Sequence, residues 1–247
     1  MGDNGQVRKY RDAGVVLGTH KLGEADRIVT ILTRRSGVVR AVAKGVRRTS
    51  SRFGSRLEPL MMIDLQANRG RNLDVVTQVE LIEPFAQGLI SDYDYYTAGS
   101  VMAETALRLT EDDPHTEDQF LLLVAALRSM CRREHPARSS LDAYLIRAMS
   151  LAGWAPSLID CARCGAPGPH RAFSLEAGGA VCRACRRGGE HLPGPDALAY
   201  LHRISTADWP EPGTVADYDV QAASKVVTAF VQWHLERRVK SLALLER

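Results

Sequence analysis

The sequence contains no apolar run of the roughly 18 residues that a membrane-spanning helix requires. Its first residues, MGDNGQVRKYRD, hold no apolar segment of the kind that marks a secretion signal. Hydrophobic residues make up 45% and charged residues 25% of the 247 residues, which is ordinary for globular proteins. We therefore expect a soluble protein that stays in the cytoplasm and binds no membrane.

The sequence motifs of several enzyme classes are also missing. There is no G-x-x-x-x-G-K-[ST] phosphate loop, no H-E-x-x-H and no G-x-S-x-G. His234-Leu235-Glu236 matches the H-x-E of zinc deaminases, but it follows the cysteine pairs instead of preceding them, and neither pair has the expected proline before it. We therefore expect that the protein is not an enzyme and has no catalytic residues.

Acidic residues are absent from one long stretch of the chain. No Asp or Glu occurs from Arg27 to Leu57, although the whole chain has a net charge of only +3. Such uneven charge indicates a segment that faces a polyanion, with a solvated basic face as the alternative. Because Tyr10 and Phe53 are the only aromatic residues near it, we expect binding through phosphates that is indifferent to sequence.

Five short, β-branched segments come before Pro84. They are Ala13–Leu17, Ile28–Leu32, Val38–Ala43, Leu60–Leu65 and Leu73–Leu81, separated by polar or glycine-bearing turns. This pattern predicts a small closed barrel, either an OB-fold, which commonly binds nucleic acid, or an SH3-like barrel. Alternation along the third segment predicts that Arg40 points away from the core. The polar connection from Gly45 to Arg56 predicts a mobile, exposed loop.

Helical periodicity begins after Pro84. It predicts helices at Tyr93–Thr110, from Pro114 onward, from about Ser140 to Gly153, at Pro195–Ile204 and at Val220–Lys240. The fold class is therefore α+β with several domains. We divide the chain into an OB-fold nucleic-acid-binding domain (1–83), the first part of a helical domain (84–157), a zinc-finger module (158–192) and the second part of the helical domain (193–247).

Four of the five cysteines form the pairs Cys161-Ala-Arg-Cys164 and Cys182-Arg-Ala-Cys185, with seventeen residues between them. This spacing matches the zinc-binding template C-x2-C, x15–20, C-x2-C. Four thiolates complete a tetrahedral shell and leave no position for water, which predicts one structural zinc ion per chain. Four basic neighbours should favour the deprotonated thiols, namely Arg163, Arg183, Arg186 and Arg187.

The cysteines have two other possible states, a pair of disulfides or four free thiols. A reducing cytoplasm disfavours the disulfides. His170 and His191 flank the module and are alternative ligands in place of a cysteine. The fifth cysteine, Cys131, lies in a helical stripe and is predicted to pack as a small hydrophobic residue.

A resemblance to the RecO family of bacterial recombination mediators is carried by the run GVVLGTHKLGEADRIVTILTRRSGVVRAVAKGVRRTSSRFGSRLEPL. The shared features are the polar turn before Glu24 and Asp26, Gly37, the Lys44-Gly45-x-Arg47-Arg48 segment, the Ser/Arg/Gly loop and Leu57-x-Pro59. The ending HLERRVKSLALL and the position of the two cysteine pairs are also similar to the family. The resemblance covers nearly the whole chain.

This resemblance implies an OB-fold followed by a helical domain with an inserted zinc finger. It further implies a protein of the bacterial cytoplasm and nucleoid that binds single-stranded and double-stranded DNA and anneals complementary strands without ATP. With RecR, such a protein helps to load RecA onto DNA coated by single-strand-binding protein. The residues that match the family's DNA-binding region are Arg34, Arg35, Arg40, Lys44, Arg47, Arg48, Arg52 and Arg56.

The resemblance also implies binding to the acidic, apolar C-terminal tail of single-strand-binding protein. Candidate partners for its carboxylates are Arg132, Arg133, Arg237, Arg238 and Lys240, which are equally well explained as cations at helix C-termini. Two other functions compete with DNA repair. One is a zinc-ribbon adaptor that binds RNA or acts in transcription, and the other is an enzyme with a zinc cofactor, which the closed cysteine shell disfavours.

Overall fold

The computed structural model describes residues 9–49, 51, 53–111 and 116–235. Arg52 and the C-terminal cations Arg237, Arg238 and Lys240 lie outside the described residues. The chain divides into two compact units, Met1–Cys131 and Arg132–Arg247. Each unit is described separately below.

Five strands form a closed barrel in the first unit, as the sequence pattern predicted. They are β1 (Lys9–Leu22), β2 (Asp26–Thr33), β3 (Val38–Ala43), β4 (Met62–Asn68) and β5 (Asp74–Glu83). The strand order is β1-β2-β3-β5-β4, with β4 returning to β1. Neighbouring strands are antiparallel except β3 and β5, which run parallel. This five-stranded closure is OB-like, and the predicted class of mixed α+β fold is confirmed.

Alternation along the strands builds the barrel core. Val39, Ala41 and Ala43 of β3 are buried, whereas Arg40 between them is exposed. The same two-residue period places Ile63, Leu65 and Ala67 of β4 in the interior. The prediction that Arg40 points out of the barrel is therefore confirmed.

The connection between β3 and β4 differs from the exposed loop that its polar composition predicted. Val46, Phe53 and Leu57 belong to the barrel core, with exposures of 8%, 2% and 0%. A 3-10 turn at Gly54–Leu57 ends this connection. Apolar residues spaced along a polar segment anchor it to the barrel, because burying each one removes hydrocarbon from water. Phe53 is therefore a core residue, and the prediction of an exposed loop is wrong at Val46 and Phe53.

Three helices accompany the barrel among the described residues of the first unit. They are α1 (Phe85–Leu89), α2 (Tyr93–Thr110) and α3 (Glu117–Cys131). The carboxylate of Asp92 caps α2 by accepting from the backbone N–H groups of Asp94 and Tyr95. Arg128 of α3 forms an ion pair with Glu83 at the end of β5. Contacts thus group these helices with the barrel, whereas the sequence-based division assigned residues after 83 to the helical domain.

The described part of the second unit, residues 132–235, contains three longer helices and a small hairpin. The helices are α4 (Ala137–Leu151), α5 (Pro195–Ser205) and α6 (Asp217–His234), and the hairpin strands are β6 (Ala172–Ser174) and β7 (Gly179–Val181). Leu145, Leu201 and Val231 are fully buried, one from each helix. Within the described residues, no helix combines the length and the apolar character needed to cross a membrane.

A buried carboxyl group makes the stability of the second unit depend on pH. Asp142 of α4 is 1% exposed and accepts a hydrogen bond from the Ser224 hydroxyl of α6, and burial raises its pKa to about 7. This value exceeds the unfolded pKa of about 3.9. The folded state therefore holds a proton that the unfolded state releases, and this group's contribution to stability falls as pH rises from about 4 to about 7.

We expect Asp142→Asn to remove this decline, because the amide keeps an acceptor for Ser224 and carries no charge. Urea denaturation of wild type and variant at pH 5 and pH 8 measures the effect. The variant should gain stability relative to wild type at pH 8. Because the two proteins share all other titrating groups, the contribution of those groups cancels when the free energies of unfolding are subtracted. An equal difference at both pH values would show that Asp142 does not titrate in this range.

Candidate nucleic-acid interface and metal centre

One end of the barrel joins two cationic connections. Strand pairing places Arg27 at the start of β2 beside both Lys21 of β1 and Ala43 of β3. The β1–β2 turn and the segment after β3 therefore lie at this end, which we call the basic end, and its exposed cations are Lys21, Lys44, Arg47 and Arg48. Parallel pairing of Ala41 with Asp74 runs the residues before Asp74 back toward the start of β3, so the β4–β5 turn, with the exposed Arg69 and Arg71, lies toward the other end.

The segment that follows β3 is fastened to the β1–β2 turn. The Arg47 guanidinium donates to the backbone carbonyls of Glu24 at 2.8 Å and Gly23 at 3.4 Å. The Gly45 N–H donates to the Asp26 carboxylate at 2.7 Å. Arg47 therefore holds the turn in place, which adds a structural role to its predicted contact with DNA.

The β4–β5 turn presents two arginines on a tight backbone. A Cβ atom at Gly70 would lie 1.9 Å from the Leu73 carbonyl oxygen, so only glycine fits here. The Asp74 carboxylate accepts from the Gly70 N–H at 2.9 Å and from the Tyr10 hydroxyl at 2.6 Å. The Arg69 guanidinium lies 5.0 Å from the centre of the Tyr10 ring. These contacts hold Arg69 above the barrel surface.

The Tyr10 phenol is part of this turn's support. Burial and the hydrogen bond to Asp74 raise the pKa of Tyr10 above its usual range, so the hydroxyl remains a donor at neutral pH. Its ring is half-buried beneath Arg69. The Tyr10 ring thus supports an arginine side chain.

Cations on the barrel differ in whether they are paired. Arg34, in the β2–β3 turn, lies 2.9 Å from Glu117, and Arg40 forms an ion pair with Glu111. By contrast, the exposed cations of the basic end, and Arg69 and Arg71 of the β4–β5 turn, have no acidic side chain within 4.0 Å among the described residues. Their positive charge is therefore not neutralised by an ion pair within the described part of the protein.

The structure separates the predicted DNA-binding residues. The basic end contains Lys44, Arg47 and Arg48. The other described members lie elsewhere on the barrel: Arg34 and Arg35 in the β2–β3 turn, Arg40 on the outside of β3, and Arg56 with its guanidinium 3.4 Å from the Val79 carbonyl of β5. Sequence reasoning missed Lys21, Arg69 and Arg71, although two arginines in one short turn were a usable signal.

The four paired cysteines meet in the second unit. Their sulfur atoms all lie within 4.8 Å of one another, and Cys164 Sγ is 3.8 Å from Cys182 Sγ. In a tetrahedral site with Zn–S bonds of 2.3 Å, neighbouring sulfurs are about 3.8 Å apart. The cysteine geometry therefore fits one four-coordinate metal ion of zinc's size.

Two backbone turns shape the cysteine cluster. The Gly165 N–H donates to the Cys161 carbonyl at 2.8 Å, and the Cys185 N–H donates to the Cys182 carbonyl at 3.1 Å. The Cys182 N–H also donates to Cys161 Sγ at 3.4 Å. This backbone donor is the main reason that the pKa of Cys161 is lowered to about 6. Hydrogen bonds to Cys164 and Cys182 raise the pKa of Cys185 to about 12.

These opposed pKa shifts show that the cluster does not readily hold four negative charges by itself. A bound cation removes that conflict, because its charge stabilises every thiolate around it. The neighbouring arginines favour the deprotonated thiols less than the sequence predicted, because three of the four are paired with acidic side chains. Arg163 and Arg187 lie 2.7 and 3.9 Å from Glu176, and Arg186 lies 3.7 Å from Glu190.

Histidines and the fifth cysteine stand apart from this cluster in the described structure. His170 Nε2 lies 2.9 Å from the Ala166 carbonyl oxygen, and the group of potential metal ligands contains only the four cysteines. His234 packs on Phe230 with ring centres 4.4 Å apart and on Trp154 at 5.2 Å. The half-buried Cys131 lies in the first unit, with Sγ 3.6 Å from the Phe85 carbonyl oxygen.

The barrel, the helices and the cysteine cluster define a protein with an OB-like barrel and a lobe whose four cysteines could hold a metal ion. Residues 7–85 match the family model described as "Recombination protein O N terminal", and residues 90–243 match "Recombination protein O C terminal". The chain belongs to the RecO family of DNA repair proteins. The resemblance found in its motifs is thereby confirmed.

Two curated relatives match almost end to end. A "DNA repair protein RecO" from Nocardioides sp. is 53% identical over 242 residues, which cover 96% of this chain and 99% of that protein. A "DNA repair protein RecO" from Thermobifida fusca is 52% identical over 240 residues, covering 96% of this chain and 98% of that protein.

Proposed function

We propose that the protein is a DNA-binding recombination mediator that anneals complementary strands without ATP. The observation that carries this proposal is the basic end, where cations without acidic partners project from an OB-like barrel. Each phosphate that they neutralise releases condensed counterions, which favours binding to any DNA sequence. Membership of a DNA repair family supports DNA as the ligand.

Annealing needs charge neutralisation and no covalent chemistry. Two strands repel each other, and cations on a protein surface screen both and raise their rate of encounter. Phosphate contacts leave the base edges free to pair, because they carry no sequence readout. The proposed activity therefore uses no catalytic residue, in line with our expectation that the protein is not an enzyme.

We propose that the cysteine cluster holds one structural zinc ion. Cys161, Cys164, Cys182 and Cys185 would hold it, and zinc suits four thiolates in a tetrahedral arrangement. When bound, the ion neutralises charge and joins the two backbone turns. The lobe around it has a small apolar core of Cys161, Ala172 and Val181, so metal binding would supply much of its stability.

We propose the partners that the family resemblance implies. They are single-stranded and double-stranded DNA, RecR, the C-terminal tail of single-strand-binding protein and, indirectly, RecA, at the nucleoid in the cytoplasm. Arg132 is a candidate for the tail's carboxylates because its side chain is 69% exposed, although Glu134 lies 3.5 Å from it. Arg133 is the neighbouring candidate.

An annealing assay tests this function. Complementary DNA strands, one carrying a fluorophore and the other a quencher, are mixed without ATP, with and without single-strand-binding protein. We expect the protein to accelerate pairing in both cases, whereas coated strands alone should pair slowly. No acceleration, combined with tight binding to RNA, would instead favour an RNA-binding adaptor.

A further inference from the structure

The metal-binding lobe has a second cationic surface, on the side formed by its hairpin. A cavity of about 380 Å³ is lined by Arg171, Arg183 and Arg186, with His170 and Pro169 beside them. Its floor consists of Ala172 and Val181, which pair across β6 and β7. We call this cavity the arginine cleft.

The fold brings the three arginines together from two directions. Arg171 directly precedes β6, and Arg183 follows β7 by two positions, so pairing of the hairpin strands places them near one another. Arg183 directly follows Cys182, and Arg186 directly follows Cys185. Closure of the cysteine cluster by a metal ion therefore fixes the backbone that carries two of the three guanidinium groups.

The charge of the cleft is not cancelled by its lining, since no acidic residue occurs among the described residues that line it. Among the described residues, Arg171 and Arg183 have no acidic side chain within 4.0 Å, and Arg186 has Glu190 at 3.7 Å. This differs from the other side of the lobe, where Arg163 is paired with Glu176. Exposed guanidinium groups without acidic partners are suited to bind an external anion bidentately.

The shape of the cleft indicates which anion it receives. Its apolar floor is made of small side chains, and its described lining contains no Leu, Ile, Met or aromatic hydrophobic residue that would grip a large apolar side chain of a peptide. A sugar-phosphate backbone presents repeated phosphates joined by compact sugars, which matches guanidinium groups spaced around a small apolar floor.

We propose that the arginine cleft binds the phosphate backbone of a second DNA strand. This inference rests on the proposed function, because it adds to the DNA site on the barrel a separate DNA site on the other unit. A single chain then holds two strands at once, one on each unit. Annealing by one molecule requires that two DNA strands be bound at the same time, and the basic end of the barrel by itself provides a site for one strand.

Native mass spectrometry with a six-nucleotide thymidine oligonucleotide counts the strands bound to each full-length, metal-loaded chain. We expect two oligonucleotides on wild type and one on the variant Arg171→Gln/Arg183→Gln. The matched control is Arg187→Gln/Arg203→Gln, which removes two exposed cations that already have acidic partners, Glu176 and Asp208, and should still bind two. The metal content of each variant verifies that its lobe is folded.

A rescue variant separates lost charge from lost structure. Arg171→Lys/Arg183→Lys keeps both charges and should restore the second oligonucleotide. Three results would each contradict a second DNA site: two oligonucleotides bound to the glutamine variant, only one bound to wild type, or only one bound to the lysine variant. Failure of wild type to bind any oligonucleotide would instead overturn the proposed DNA-binding function itself.

Discussion

Replacing Cys164 with serine should release the metal ion and unfold the lobe between residues 158 and 192. Serine removes one of four sulfurs that lie within 4.8 Å of one another. Structural zinc sites in small peptides contribute roughly 10–16 kcal/mol at neutral pH. The apolar core of this lobe is small, so we expect little other stabilisation to remain when the metal ion is lost. Metal analysis should find about one zinc ion per wild-type chain and almost none in the variant, and limited proteolysis should cut the variant within the lobe.

The matched control is Cys131→Ser, which makes the same chemical change in the other unit. It should leave the metal content at about one ion per chain, because Cys131 is not part of the cluster. A wild-type protein that is folded, free of metal and resistant to a chelator would refute the structural zinc. If a different metal were found at about one ion per chain, the structural metal site would be supported but its assignment to zinc would be wrong.

Neutralising Arg48, Arg69 and Arg71 should produce the largest loss of DNA binding, because none of the three has an acidic side chain within 4.0 Å among the described residues. The variant Arg48→Gln/Arg69→Gln/Arg71→Gln removes three exposed guanidinium groups and leaves Arg47, which holds the β1–β2 turn, in place. Each lost phosphate contact lowers the slope of log affinity against log salt by about 0.7 for single-stranded DNA, or about 2 for three contacts. Fluorescence anisotropy should show about a hundredfold weaker binding at 0.1 M salt.

The control variant removes equal charge from the same barrel. Arg34→Gln/Arg35→Gln/Arg40→Gln also loses three cations, but Arg34 and Arg40 are already paired with Glu117 and Glu111. Its affinity for DNA should fall by much less. If both variants lost affinity equally, binding would depend on the barrel's net charge and not on which of its cations are unpaired.

Local sequence patterns predicted much of this fold. Alternation identified the bounds of β3, and helical periodicity identified α2 from Tyr93 to Thr110. The cysteine spacing predicted a four-sulfur cluster because two short turns make each pair converge. These features depend on residues close together in sequence, where period and spacing carry the information.

Features that depend on distant residues were not predictable in this way. The ion pair between Arg34 and Glu117 joins residues 83 positions apart, and antiparallel pairing of β2 with β1 and β3 brings Lys21 to the same end of the barrel as Lys44. Composition likewise suggested an exposed loop after β3, but Phe53 fills the barrel core. Counting positive residues along the chain therefore identified a basic segment but not which cations remain unpaired.

The salt dependence of single-stranded DNA affinity tests the central claim most directly. Wild-type protein and the two triple variants are titrated with a labelled oligonucleotide at several salt concentrations between 50 and 200 mM, about the range in which phosphate contacts change affinity most. Our account predicts that affinity falls steeply with salt for wild type, nearly as steeply for the Arg34/Arg35/Arg40 variant, and with a slope shallower by about 2 for the Arg48/Arg69/Arg71 variant. A wild-type affinity that does not change with salt, or parallel slopes for all three proteins, would contradict it.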